Sequence, residues 1–137
     1  MVTITGEYQG ELHCSAVHEP SASTLMTDAP KDNQGRGEAF SPTDLVATAL
    51  GTCVATTMAI AARARGAELR GLRFKVTKEM TSQAPRRIAR LTTEVWLPLA
   101  RTEELGRVLE AAALGCPVSR SLEPGVEKPM RFHWAAA

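Results

Sequence analysis

From Leu45 to Ala64 the chain places Leu, Val, Ala, Thr, Met and Ile on nearly every face of a helix, and charge appears only at Arg63 and Arg65 before Gly66 ends the run. A helix that is apolar all round needs cover on every side. In a chain of 137 residues that cover comes from sheets or from a second subunit, so the pattern predicts a buried central helix in a homodimer. The start of the helix is well marked. Ser41 is a good N-cap, Pro42 suits the first helical position, and Asp44 can reach back to the cap as the acid of a capping box. The several Thr and the Gly inside the run make it a weak membrane span, and no membrane association is expected.

Upstream, residues 2 to 4 and 12 to 17 show short apolar alternation broken by Gly6 and Gly10, which suits two small strands, with a third near residues 24 to 26. Residues 28 to 39 are rich in Gly, Asp, Asn and charge without a period, and read as a loop of a length that is often functional. Downstream, residues 72 to 80 and 87 to 97 alternate apolar and polar side chains around a turn at 82 to 85, which predicts a second hairpin. Thr102 can cap a helix with Leu105, Val108, Leu109 and Ala112 on one side and Glu103 and Glu104 in its first turn; Gly115 closes it. Cys116-Pro117 opens a further helical turn, and residues 130 to 134 form a last strand. The order β-β-β-α-β-β-α-α-β makes an α+β fold of two antiparallel sheets around the central helix, with Trp96 and Trp134 expected in the core or the dimer interface.

A composition with 44% hydrophobic and 23% charged residues fits one globular domain spanning residues 1–137 and excludes disordered and fibrous classes. The net charge of +1 gives no general field for nucleic acid, and Arg86, Arg87 and Arg90 lack the aromatic neighbours of a recognition surface. Residues 1 to 25 have neither the basic start nor the apolar core of a signal peptide, and three cysteines are an odd number. A cytoplasmic chain with free or redox-active thiols is therefore expected. His13, Cys14 and His18 do not make a metal site on this reading, because His13 and Cys14 point to opposite faces of a strand and no further ligand follows at a familiar spacing. No metal or other cofactor is expected.

Two cysteines sit in settings that bear on chemistry. Cys53 lies in the middle of the apolar helix, two residues after Gly51, and a glycine there costs about 0.5–1 kcal/mol relative to Ala, so something must pack close to the backbone. Cys116 occupies an N-cap position before Pro117, where unpaired amides and the helix dipole favour a thiolate. The local signal thus marks Cys116 as the more acidic thiol. The two are 63 residues apart, and only the fold can bring them together.

The strings Ser41-Pro42-Thr43-Asp44-Leu45, Ala49-Leu50-Gly51-Thr52-Cys53 and Cys116-Pro117-Val118-Ser119, with Pro85-Arg86-Arg87-Ile88 between them, resemble the superfamily of osmotically inducible protein C (OsmC) and the organic hydroperoxide resistance proteins. The resemblance implies an intertwined homodimer and a thiol peroxidase that reduces organic hydroperoxides or hydrogen peroxide. By position it makes Cys53 the thiolate that attacks the peroxide and Cys116 the resolving thiol, with an external dithiol, dihydrolipoyl in some relatives, restoring both. Members with this activity carry a Glu ten residues before the first cysteine, holding an Arg that helps ionise the thiol. Here Thr43 takes that place and Asp44 stands beside it, while Arg36 in the preceding loop is the candidate cation. The alternative to catalysis is a dimeric protein that binds a small hydrophobic or electrophilic ligand, with incidental thiols.

Overall fold

A computed structural model describes residues 1–137. They fall into two compact units, Met1–Val46 and Ala47–Ala137. The α+β class and the order of elements are those expected from the sequence.

The first unit is built on an antiparallel sheet of β1 (Ile4–Gly10), β2 (His13–His18) and β3 (Ser23–Asp28), in that order. Gly6 does not break β1. It sits inside the strand because a Cβ there would stand 2.7 Å from the Ser15 carbonyl oxygen of β2, so glycine marks a close backbone approach. The turn after Gly10 is made by Glu11 and Leu12, both with positive φ, and it delivers His13 to the start of β2 directly opposite Asp28 of β3. The loop that follows folds back on the end of β3. The Asp28 amide donates to the Phe40 carbonyl at 3.2 Å and the Gly37 amide to the Ala29 carbonyl at 3.2 Å.

Helix α1 (Pro42–Arg63) begins in the first unit and continues through the second. Its start is the expected capping box: the Asp44 amide donates to Ser41 Oγ at 3.0 Å and the Ser41 amide donates to Asp44 Oδ2 at 2.9 Å. Burial is narrower than the sequence pattern predicts. Ala47, Leu50, Gly51, Val54, Met58 and Ala62 form one buried stripe, while Thr52, Thr56 and Ile60 are exposed. The reason is that cover within the chain reaches one side of the helix. The close approach at Gly51 is real, since a Cβ there would lie 2.5 Å from two ring carbons of Phe74 and 3.0 Å from Val76 Cγ2.

The second sheet has the order β4 (Arg73–Met80), β5 (Ile88–Ala100), β6 (Met130–Ala135). The pair β4–β5 is the expected antiparallel hairpin, whereas β6 lies parallel to β5. A helical crossover explains the difference, because α2 (Glu103–Leu114) and α3 (Pro117–Ser121) carry the chain back before β6 begins and so return it in the same direction. Period-two alternation buries Leu91, Thr93, Val95 and Leu97 of β5, and Leu109 and Ala113 of α2 are also buried. Leu50, Leu91 and Leu109 are wholly enclosed, each contributing about 1.5–3 kcal/mol of transfer free energy. Trp96 and Trp134 are only half-buried. Trp96 stacks on His133 at 5.2 Å with Arg73 over its ring, and Trp134 Nε1 donates to Glu110 at 3.1 Å, so both rings work at a polar margin rather than fill a core.

Candidate active site

Cys53 leaves α1 on the side away from the buried stripe. Two residues turn a helix by about 200°, so Gly51 faces β4 while Cys53 faces out, half-exposed. Its Sγ lies 3.9 Å from Thr57 Oγ1, one turn further along the helix. An open cleft of about 460 Å³ runs along this face, lined by Ala49, Thr52, Cys53, Thr57 and Ile60 of α1 together with Pro117 and Val118 of α3.

Those last two residues follow Cys116, which is wholly buried at the N-cap of α3. The sequence expectation for this cap holds in its geometry. Pro117 is the first helical residue, and Cys116 Sγ accepts a hydrogen bond from the Ser119 amide at 3.4 Å. The expectation that Cys116 is the more acidic thiol does not survive its burial. Loss of solvent pushes the thiol above its ordinary value, the Ser119 amide opposes this, and the neighbouring Cys53 thiol pushes it up further. The backbone amides at the start of a five-residue helix, Ser119 foremost and Val118 after it, do not offset removal of a thiolate from water. The two sulfurs are neighbours close enough to bias one another's ionisation, and no disulfide joins them.

The other predicted site residues lie in the first unit. The Asp44 carboxylate serves the helix cap. Arg36 is exposed and faces Glu11 at 3.5 Å and Glu38 at 3.7 Å. Within the basic group of the second hairpin, Arg90 pairs with Glu127 at 2.8 Å and Arg87 donates to the Gly125 carbonyl at 2.9 Å. Sequence reading passed over Thr57 and the α3 lining of the cleft; their spacing from Cys53 and Cys116 was the available signal.

The comparisons with known proteins agree with this architecture. The family described as OsmC-like protein matches residues 35–128. A Psychrobacter arcticus protein assigned to the osmotic stress and detoxification response is 38% identical, with 97% of this chain and 96% of that one covered and a TM-score of 0.91. An organic hydroperoxide resistance protein of Legionella pneumophila shares the fold at 13% identity, covering 97% and 96% of the two chains with a TM-score of 0.79. Another from Bacillus subtilis does so at 14% identity, covering 96% and 97% with a TM-score of 0.72. No curated protein matches the chain. With more than half its length matched by the family and a close structural relative at 38% identity, the chain belongs to the OsmC-like protein family.

Proposed function

We propose that the chain is a thiol-dependent peroxidase that reduces organic hydroperoxides or hydrogen peroxide through Cys53 and Cys116. The observation that carries this reading is the pairing of a half-exposed thiol in an apolar cleft with a buried neighbouring thiol. In the first step the Cys53 thiolate attacks the terminal peroxide oxygen, the O–O bond breaks, and the alcohol, or water where the substrate is hydrogen peroxide, leaves after taking a proton; sulfur is oxidised to sulfenic acid and peroxide is reduced. In the second step Cys116 sulfur attacks the Cys53 sulfur, a disulfide forms, and the lost hydroxyl leaves as water with the Cys116 proton. An external dithiol of the dihydrolipoyl type then exchanges with the disulfide and returns both thiols.

The burial of Cys116 supports the division of labour. A thiol held protonated competes poorly for peroxide, because the thiolate is the nucleophile. Once Cys53 becomes a neutral sulfenic acid, the charge it imposes on its neighbour disappears, and the Cys116 proton is more easily released. The environment supports this order of steps. Arg36 stays in this reading as the candidate activating cation. Its present pairs are solvent-exposed and cost well under about 1 kcal/mol to leave. Asp44 contributes through the start of α1, where its carboxylate fixes the cap.

The homodimer belongs to the same proposal. It is supported by the open face of α1 at Ile60, 65% exposed, and by Ile4, Tyr8 and Met26 of the first sheet at 58%, 62% and 52%. Apolar surface of this kind marks an association face, and sedimentation at micromolar concentration tests it. A reducing compartment such as the cytoplasm suits free thiols recycled by a dithiol. The reading as a binding protein for a small hydrophobic or electrophilic ligand is favoured by the apolar lining of the cleft. Consumption of cumene hydroperoxide in the presence of dihydrolipoamide separates the two: turnover that disappears in Cys53→Ser supports the peroxidase, and a variant as active as wild type defeats it.

A further inference from the structure

At one end of the first sheet, three side chains distant in sequence converge. His13 opens β2, Asp28 ends β3 opposite it, and Glu38 is brought in by the loop that folds back on β3. His13 Nε2 lies 3.6 Å from Asp28 Oδ1 and 3.4 Å from Glu38 Oε2, and one ligand atom from each of the three residues falls within a mutual separation of 4.8 Å.

Two details of this cluster point to a ligand. The other ring nitrogen, His13 Nδ1, is 2.7 Å from the Glu11 carbonyl oxygen. A carbonyl only accepts, so Nδ1 carries the proton and donates, which leaves Nε2 to face the two carboxylates. Asp28 is wholly buried, and its Oδ1 is turned toward Nε2 without a hydrogen-bond partner. Its other oxygen, Oδ2, accepts from the Glu38 amide at 3.0 Å.

The separations then decide between two arrangements. A protonated ring bonding directly to a carboxylate brings nitrogen and oxygen to about 2.7–2.9 Å, shorter than either distance here. Ligands held at about 2.0–2.2 Å around a tetrahedral zinc ion stand about 3.4 Å from one another. A ring whose second nitrogen is fixed by a backbone carbonyl is also the usual way a ligating histidine is oriented.

We propose that His13, Asp28 and Glu38 form a binding site for a divalent transition metal, of which Zn²⁺ is the representative, with Nε2, Oδ1 and Oε2 as donors. The imidazole donor favours such an ion over Mg²⁺ or Ca²⁺, which take oxygen ligands. The three donors include neither Cys53 nor Cys116. Bound metal ties the returning loop to the β2–β3 ladder at Glu38, its most exposed ligand.

The test is calorimetric titration of ZnCl₂ into the reduced full chain, with His13→Ala and Glu38→Gln as variants, both of which leave buried Asp28 in place, and with Co²⁺ absorption to identify the donors. The expected result is one site per chain, weakened at least tenfold in each variant while their circular dichroism stays native. The Co²⁺ spectrum should show tetrahedral bands without thiolate charge transfer. Absence of binding, equal binding by wild type and both variants, or a thiolate-to-Co²⁺ band abolished by Cys53→Ser would each overturn the proposal.

Discussion

Replacing Gly51 by Ala sets two effects of opposite sign against each other in α1. Away from other contacts the exchange stabilises a helix by about 0.5–1 kcal/mol. Here the new methyl would stand 2.5 Å from Phe74 Cδ2 and Cε2 and 3.0 Å from Val76 Cγ2, whereas unstrained carbon contacts lie at about 3.5–4.0 Å. The Phe74 ring must therefore retreat by about 1 Å, and such overpacking costs about 1–3 kcal/mol. The balance is a destabilisation of about 1 kcal/mol. At about 2.1 cal/mol/K per residue, a chain of 137 residues unfolds with an entropy near 0.29 kcal/mol/K, so Tm should fall by about 3 °C in a calorimetric scan. In a Phe74→Ala background the ring clash is gone and only the approach to Val76 Cγ2 remains, so Gly51→Ala should raise Tm, by up to about 2–3 °C, relative to that parent. A rise of that size in the wild-type background would refute the close approach of β4 to the helix.

Other outcomes follow from the same geometry. Iodoacetamide at neutral pH should modify Cys14 and Cys53 well before Cys116, as read by peptide mapping, because Cys116 alone of the three is buried. The fold raises the Cys116 thiol above its ordinary value of 9.0, so its protonated form contributes stability that is intact below that pH and lost as pH rises through the folded value; Tm of Cys116→Ala should decline less from pH 8 to 10 than that of wild type. Thr102→Ala removes the Oγ1 that accepts from the Leu105 amide at 3.1 Å, which should cost about 1 kcal/mol and about 3 °C. Leu109→Ala opens a cavity at a side chain with no exposure and should cost about 2–5 kcal/mol, or about 7–17 °C.

What the sequence disclosed was mostly what is local. The caps at Ser41, Thr102 and Cys116 need only three or four neighbouring residues, and each is found where the sequence put it. The hairpin β4–β5 was legible for the same reason, since alternation and a turn specify it. Properties that depend on distant segments were not. The parallel placement of β6 depends on a crossover, and the acidity of Cys116 is reversed by burial that no neighbour in sequence reveals. His13 was weighed only against Cys14 and His18, while its actual companions, Asp28 and Glu38, arrive through strand register and a returning loop. Gly6 read as a break between short strands and Gly51 as a close approach of an unnamed neighbour, and only the folded chain shows which atoms each admits.

The central claim is that Cys53 and Cys116 act as one redox pair, and the most direct test is the intact mass of the reduced full chain after one equivalent of cumene hydroperoxide, followed by non-reducing peptide mapping. The account predicts a loss of two hydrogens, localised to a Cys53–Cys116 disulfide and reversed by dihydrolipoamide. Unchanged thiols, or oxidation that settles on Cys14 while Cys53 and Cys116 stay reduced, would contradict it.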